Sequence, residues 1–238
     1  MDGLIPSSSS FSGDIDFLII LIAVIVGFWF LLAEGVFFWL IFRFRHKPGV
    51  RGEYVTGEKK SEMKWISWPH YVIMLCDVVI IVFAIKVWMD VKQTLPPPDE
   101  TIRIVSQQWA WTFIHAGPDG QLDTEDDIAT VDELHVQVDR TYHFQLESTD
   151  VLHSFSVPVF RLKQDAVPGR RITGWFRPIQ TGEHDIQCAE MCGVGHGAMA
   201  ARIHIETAAQ HAEWLSGRSR QQQLAQHGSP ARTAPAGR

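Results

Sequence analysis

Two long apolar runs constrain this chain before anything else does. Phe17 to Phe42 is broken only by Glu34, and Ile66 to Met89 carries Asp77 and Lys86. At ~1.5 Å rise per residue, a helix over the first run crosses a ~30 Å hydrocarbon core with room to tilt. The residues before it hold no Lys or Arg, whereas the connecting loop holds Arg43, Arg45, Lys47, Arg51, Lys59, Lys60 and Lys64. Basic loops stay in the cytoplasm, so that loop is expected inside and both termini outside. Several of Trp29, Trp39, Trp65, Trp68 and Trp88 suit an interfacial belt. The opening Met1 to Pro6 and its four serines offer no positive region and no small-residue cleavage site, so a signal peptide is not expected. Residues 1–16 then form an outer segment and 17–94 a transmembrane hairpin, with spans at about 17–42 and 66–89.

Ionisable groups at membrane depth are costly and face protein or water rather than lipid. Lys86 can snorkel to the outer interface. Glu34 and Asp77 cannot, and they imply a helix-bundle partner or a proton-conducting surface.

After Pro96-Pro97-Pro98, a stiff exit from the membrane, the texture changes. Thr101 to His115, Glu133 to Leu146, His153 to Phe160, Arg171 to Ile179, Glu183 to Gln187 and Ala200 to Glu206 read as strands bounded by turn residues. Residues 95–215 are therefore expected to form an all-β sandwich or Greek-key barrel. Residues 216–238, rich in Arg, Gln, Ser, Ala and Gly without apolar period, are expected to be a disordered tail. The net charge of -6 argues against a nucleic-acid binder and favours a basic protein partner. Three cysteines make no disulfide framework, and Cys76 sits in an apolar helix as a small hydrophobe.

Cys188 to Met199 carries the chemistry. Cys188, Cys192, His196 and Met199 supply two thiols, an imidazole and a thioether within one short run. Soft sulfur with imidazole and a weak Met suits electron-transfer copper. The further imidazole such a site needs is His153. Two thiolates can bridge two copper ions, each also taking a His; Met199 completes one and the backbone carbonyl of Glu190 the other. A structural disulfide leaves His196 and Met199 unexplained. Zinc has no use for Met, and the Cys-x-x-x-Cys spacing is wrong for haem attachment.

Two spans followed by these residues resemble subunit II of the haem-copper cytochrome c oxidases, over about residues 14 to 215. The resemblance implies a two-helix hairpin plus an all-β cupredoxin-like Greek-key barrel holding a dinuclear copper centre, CuA. It assigns His153, Cys188, Glu190, Cys192, His196 and Met199 as copper ligands, and gives the Glu190 side chain a Mg²⁺ shared with subunit I. Lys163 to Arg170 matches the family's Lys-x-Asp-Ala-x-Pro-Gly-Arg segment. In Gln108-Trp109-Ala110-Trp111, strand alternation puts both rings on one face and cannot choose between them; the resemblance favours Trp109 as the point where electrons arrive. Ala110 departs from the family's aromatic. Glu62 falls where the family has a carboxylate at a proton-channel mouth, though a solvated charge is the plain reading.

The implied partners are subunits I and III, cytochrome c and membrane lipid. The implied location is a bacterial-type plasma membrane, with both termini and the copper domain on the periplasmic side. The implied role is electron acceptance for a cytochrome-c oxidase whose oxygen chemistry and proton pumping lie in the partner. A CuA-bearing small subunit of a nitric oxide reductase and a membrane-anchored copper-binding protein are the alternatives; a quinol oxidase subunit would lack the copper ligands. The acidic run Gly117 to Asp127 reads as a solvated loop, a cytochrome docking surface or a Ca²⁺ site. His184 reads as a packed or exposed ring, and His115, His135 and His143 have no motif.

Overall fold

The computed structural model describes residues 5–52 and 54–228, with side chains to residue 221. It divides into two compact units, Asp14–Gln93 and the remaining described residues.

The first unit holds helices α1, Ser12–Arg43, and α2, Lys60–Trp88, the latter running on into a π-helical turn, Met89–Gln93. Both are long and apolar enough to cross a membrane, their most apolar 18-residue stretches averaging hydropathies of 2.9 and 2.5. Each begins several residues before its apolar run. Hydropathy marks the lipid-compatible part of a helix, whereas backbone hydrogen bonding carries the helix into polar flanks. Asp14 and Glu62 stand in the first turns, where the helix dipole favours a carboxylate. Phe17 and Phe83 meet edge to face at 5.4 Å. Most of the large apolar side chains on both helices remain exposed, which suits lipid or a partner rather than water.

The second unit is a sandwich of two five-stranded sheets. β1 (Glu100–Gln107), β2 (Ala110–His115), β3 (Ile128–Val131), β5 (Tyr142–Ser148) and β8 (Ile172–Phe176) make the first, in the order β3-β2-β1-β5-β8. β4 (Glu133–Gln137), β6 (His153–Val157), β7 (Leu162–Ala166), β9 (Gly182–Cys188) and β10 (Ala200–Glu206) make the second, in the order β4-β10-β9-β6-β7. β1 pairs with β5, and β10 with β4, in parallel; the other pairs are antiparallel. The alternation seen in the sequence becomes alternating burial, with Ile102, Ile104, Phe113, Leu134, Val136 and Phe144 fully buried. Each such side chain contributes roughly 1.5–3 kcal/mol by leaving water. The chain crosses between sheets at Asp132, whose φ of 57° turns a corner that Asp tolerates. Its carboxylate accepts the Trp111 amide at 2.8 Å and its carbonyl accepts the Arg202 amide at 2.8 Å, pinning one sheet to the other.

One expected segment gains detail and another changes. The outer N-terminal segment is a strap laid on the β-sandwich. The amides of Ser8 and Ser10 donate to the carbonyls of Val159 and Arg177, at 2.9 and 3.0 Å, and Phe11 packs edge-on to Trp175. The expected tail is helical up to the end of the described residues: α3 spans Ala208–Gly228. Ala, Gln and Arg are good helix formers, and Trp214 anchors the helix by stacking on His135 at 4.3 Å. Residues 229–238 of that expected tail lie outside the described residues.

Candidate metal centre

Three strand ends meet at one end of the second sheet. His153 opens β6, Cys188 closes β9 and Met199 immediately precedes β10. The pairing of Phe155 with Cys188 fixes the first two in register, and the Cys188 amide donates to the Met199 carbonyl at 3.1 Å. Between them the loop tightens through a 3-10 turn, His196–Ala198. Cys188 Sγ lies 3.6 Å from Cys192 Sγ and 3.2 Å from the Glu190 carbonyl oxygen. Cys188 Sγ is also 3.9 Å from His153 Nδ1, and Cys192 Sγ is 3.7 Å from His196 Nδ1 and 3.8 Å from Met199 Sδ. Met199 Sδ in turn lies 3.2 Å from His153 Nδ1. All six positions named from the sequence are brought together.

Both cysteines are free thiols; their separation is well beyond the ~2.05 Å of a disulfide. His153, Cys192 and Met199 are buried. Burial, reinforced by the neighbouring Cys188 thiol, raises the Cys192 thiol to about 11, so a metal entering here must displace protons. The donors are two thiols, two imidazoles, a thioether and a carbonyl. That soft-to-borderline set fits copper.

Asp150 is a positioning residue the sequence reading passed over. Its carboxylate takes His153 Nε2 at 2.8 Å, which leaves Nδ1 facing the sulfurs. The same carboxylate accepts the Gln108 and Val151 amides, each at 2.6 Å. Burial works to raise this carboxyl, but the His153 bond and the two amides outweigh it and hold it below its usual value. The spacing Asp150-x-x-His153 was the available signal, since a carboxylate on the far nitrogen of a ligand imidazole fixes its orientation. Gln108 was missed as well, and its Nε2 donates to the Cys192 carbonyl at 2.8 Å.

Strand alternation misplaced the tryptophans. Trp109 is not in a strand: β1 ends at Gln107 and β2 begins at Ala110. Trp109 is 39% exposed, and its indole N–H donates to the Cys192 carbonyl at 3.3 Å. Trp111 is fully buried against Phe155, 5.6 Å away, and His153, 6.2 Å away. Gly195 lies flat under Trp109; a Cβ there would come within 2.4 Å of the indole. Glu62 lies in the other unit, where it pairs with Lys59 at 3.5 Å and accepts the Gly57 amide at 2.9 Å. In the acidic loop Asp126 accepts the Asp119 amide and the Thr124 hydroxyl, and Asp123 pairs with Arg103 at 2.6 Å. His184 stands opposite Ile203 in the β9–β10 ladder.

The family model for the periplasmic domain of cytochrome c oxidase subunit II matches residues 119–207. The alternative cytochrome c oxidase subunit 2 of Bradyrhizobium diazoefficiens is 33% identical over 213 residues, spanning 80% of this chain and 75% of that one. The chain belongs to the cytochrome c oxidase subunit II family. Within it, cytochrome c oxidase subunit 2 of Cereibacter sphaeroides is 27% identical over 243 residues, spanning 90% of this chain and 78% of its own. A solved periplasmic domain of subunit II of cytochrome oxidase from Bradyrhizobium japonicum is 27% identical, with a TM-score of 0.48, over 54% of this chain and 99% of that one. The family's architecture, a helical hairpin followed by a cupredoxin-like β-domain, is the architecture found here. As a subunit II, the chain is one component of a haem-copper oxidase complex in which catalysis belongs to the assembly.

Proposed function

We propose that the sulfur and imidazole cluster holds two copper ions bridged by Cys188 and Cys192, and that the chain takes electrons from cytochrome c and hands them to haem in subunit I. The observation that carries this reading is the approach of six donors to one another at 3.2–3.9 Å, with both thiols unpaired. A copper pair held by these residues would supply one-electron transfer, with the charge spread over both ions. His153 and Met199 lie nearest each other and would complete one ion; His196 and the Glu190 carbonyl would complete the other.

The chain's own residues then have distinct tasks. Asp150 holds His153 in one tautomer and, through the Gln108 amide, ties the Trp109 turn to the same carboxylate. Trp109 offers an exposed ring to a docking protein and a hydrogen bond to the Cys192 carbonyl. That is a short path from the surface to a bridging thiolate. The buried, low-polarity surroundings exclude water from the thiols. The Glu190 side chain would meet a Mg²⁺ shared with subunit I, and Glu62 would stand at the mouth of a proton channel. The apolar helix faces, with Glu34 and Asp77, would pack against subunit I and subunit III. The basic loop would face the cytoplasm, and both termini with the β-domain the periplasm. Oxygen reduction and proton translocation would occur in the partner.

Electron paramagnetic resonance of the copper-loaded full chain in detergent tests this. Two equivalent coppers sharing one electron give a seven-line hyperfine pattern; a four-line mononuclear pattern, or failure to take up copper, would sink the proposal.

A further inference from the structure

A second group of metal-binding side chains lies on the outer face of the second sheet, beneath α3. His135 on β4 and His204 on β10 stand directly opposite each other in the parallel ladder. Their rings stack at 4.5 Å with 13° between planes. Glu133 precedes His135 by two residues, so strand alternation carries it to the same face, where its carboxylate bonds His204 Nε2. A carboxylate oxygen of Glu133 and one ring nitrogen from each histidine lie within 4.8 Å of one another.

The surroundings match those of a built site. A metal-ligating imidazole usually gives its other nitrogen to a carboxylate, which fixes the ring and strengthens it as a donor. Both histidines have such a partner. Glu206 meets His135 Nδ1 at 2.8 Å, which leaves its Nε2 to offer; Glu183 meets His204 Nδ1 at 3.4 Å, while His204 Nε2 already faces Glu133, the third ligand. Glu206 also accepts from His211 Nδ1 at 3.0 Å, linking the cluster to α3. Three carboxylates thus surround a stacked pair of imidazoles. The side chains of His135 and His204 are 12% and 20% exposed and that of Glu133 is 45% exposed, so an ion can enter from solvent.

We propose that Glu133, His135 and His204 form a second metal site, selective for a divalent cation of the zinc class. Two imidazoles and one carboxylate, with room for water, suit zinc coordination. Zinc–ligand bonds of about 2.0–2.1 Å need donors roughly 3.3 Å apart, so on binding the His204 ring must turn out of its stack with His135 for both nitrogens to meet one ion. The site sits at the far end of the hairpin that bears the sulfur cluster. His204 is five residues along β10 from Met199 and Glu183 five along β9 from Cys188, a distance of roughly 17 Å at strand rise. An ion here clamps β4 to β10 directly and β9 through Glu183. This proposal does not depend on copper occupying the sulfur cluster.

The test uses the full chain in detergent carrying Cys188→Ser and Cys192→Ser, so that no bridging thiolate competes for the ion. Zn²⁺ is titrated calorimetrically and Co²⁺ by visible absorption. The expected result is saturable uptake of a single equivalent, with Co²⁺ d–d bands and no thiolate charge-transfer band. Glu206→Gln should weaken zinc binding by about 10–100-fold, as loss of an outer-shell partner does. Glu133→Gln and His204→Gln should each weaken it further. Both keep side-chain volume at partly exposed positions, and near-ultraviolet circular dichroism checks that Trp214 stays packed. Absence of saturable uptake overturns the proposal. So does uptake that survives Glu133→Gln combined with His204→Gln in a folded chain.

Discussion

The two ends of the β9–β10 hairpin hold donor sets of opposite character. At one end Cys188, Cys192 and Met199 bring polarisable sulfur into a buried pocket with His153 and His196. At the other, Glu133, His135 and His204 bring carboxylate and imidazole together on a partly exposed sheet face. The sulfur end is assembled by a loop held between three strand ends; the oxygen and nitrogen end is written directly on the strands, by register. Burial and soft donors favour a redox metal that keeps its geometry, while exposure and harder donors favour an exchangeable, redox-silent ion. Yet the two ends share one device. Asp150 on His153 and Glu206 on His135 each set an imidazole from behind.

Substitutions can break that contrast. Cys192→Ser should abolish the seven-line copper spectrum entirely while leaving zinc uptake at Glu133, His135 and His204 intact; simultaneous loss of both would show that the ends are not separate. Asp150→Asn should lower copper affinity by about 10–100-fold in a chelator competition, the same range expected of Glu206→Gln for zinc. An unchanged copper affinity would remove Asp150 from its positioning role. Gly195→Ala places a methyl where Trp109 lies, so it should slow electron uptake from cytochrome c in stopped-flow while the copper spectrum persists. Normal kinetics in both that variant and Trp109→Ala would take the indole out of the path.

The smallest effect concerns His115, whose ring nitrogens have no partner among the described residues. Burial, with His211 and His135 nearby, lowers it from the ordinary 6.5 to about 3. Above pH 6.5 the imidazole is neutral in both folded and unfolded chains. Below that the unfolded chain takes up a proton the folded one refuses, so stability falls as pH drops from 6.5 towards 3. His115→Phe should flatten that acid-side slope and, by removing an unsatisfied polar group, raise stability at neutral pH by about 1–3 kcal/mol in chemical denaturation.

The sequence disclosed what is local. The spans follow from hydropathy, the strands from alternation, and the sulfur cluster from donors only a few residues apart, with His153 supplied by its Asp-Val-Leu-His setting. What stayed hidden depends on partners distant in the chain. Glu133-x-His135 and His204-x-Glu206 each have the two-residue spacing of one strand face, but their meeting requires the parallel β4–β10 register. The Trp109 and Trp111 pattern reads as alternation because nothing in those residues announces a turn. The helix at 216–228 escaped notice because its anchor, Trp214, packs on a histidine from another strand.

The N-terminal strap has a consequence for biogenesis. Ser8, Ser9 and Ser10 are made well before the carbonyls they dock on, at Val159, Phe160 and Arg177, some hundred and fifty residues further along the chain. Everything between, including both spans, lies inside the loop that this docking closes. With both helices in a bilayer, the strap can engage only where residues 8–11 stand on the same side as the sandwich. A chain in which only one of the two helices crossed would leave the strap and its carbonyls on opposite sides of the bilayer. A few serine hydrogen bonds thus tie the folded sandwich to an even number of membrane crossings.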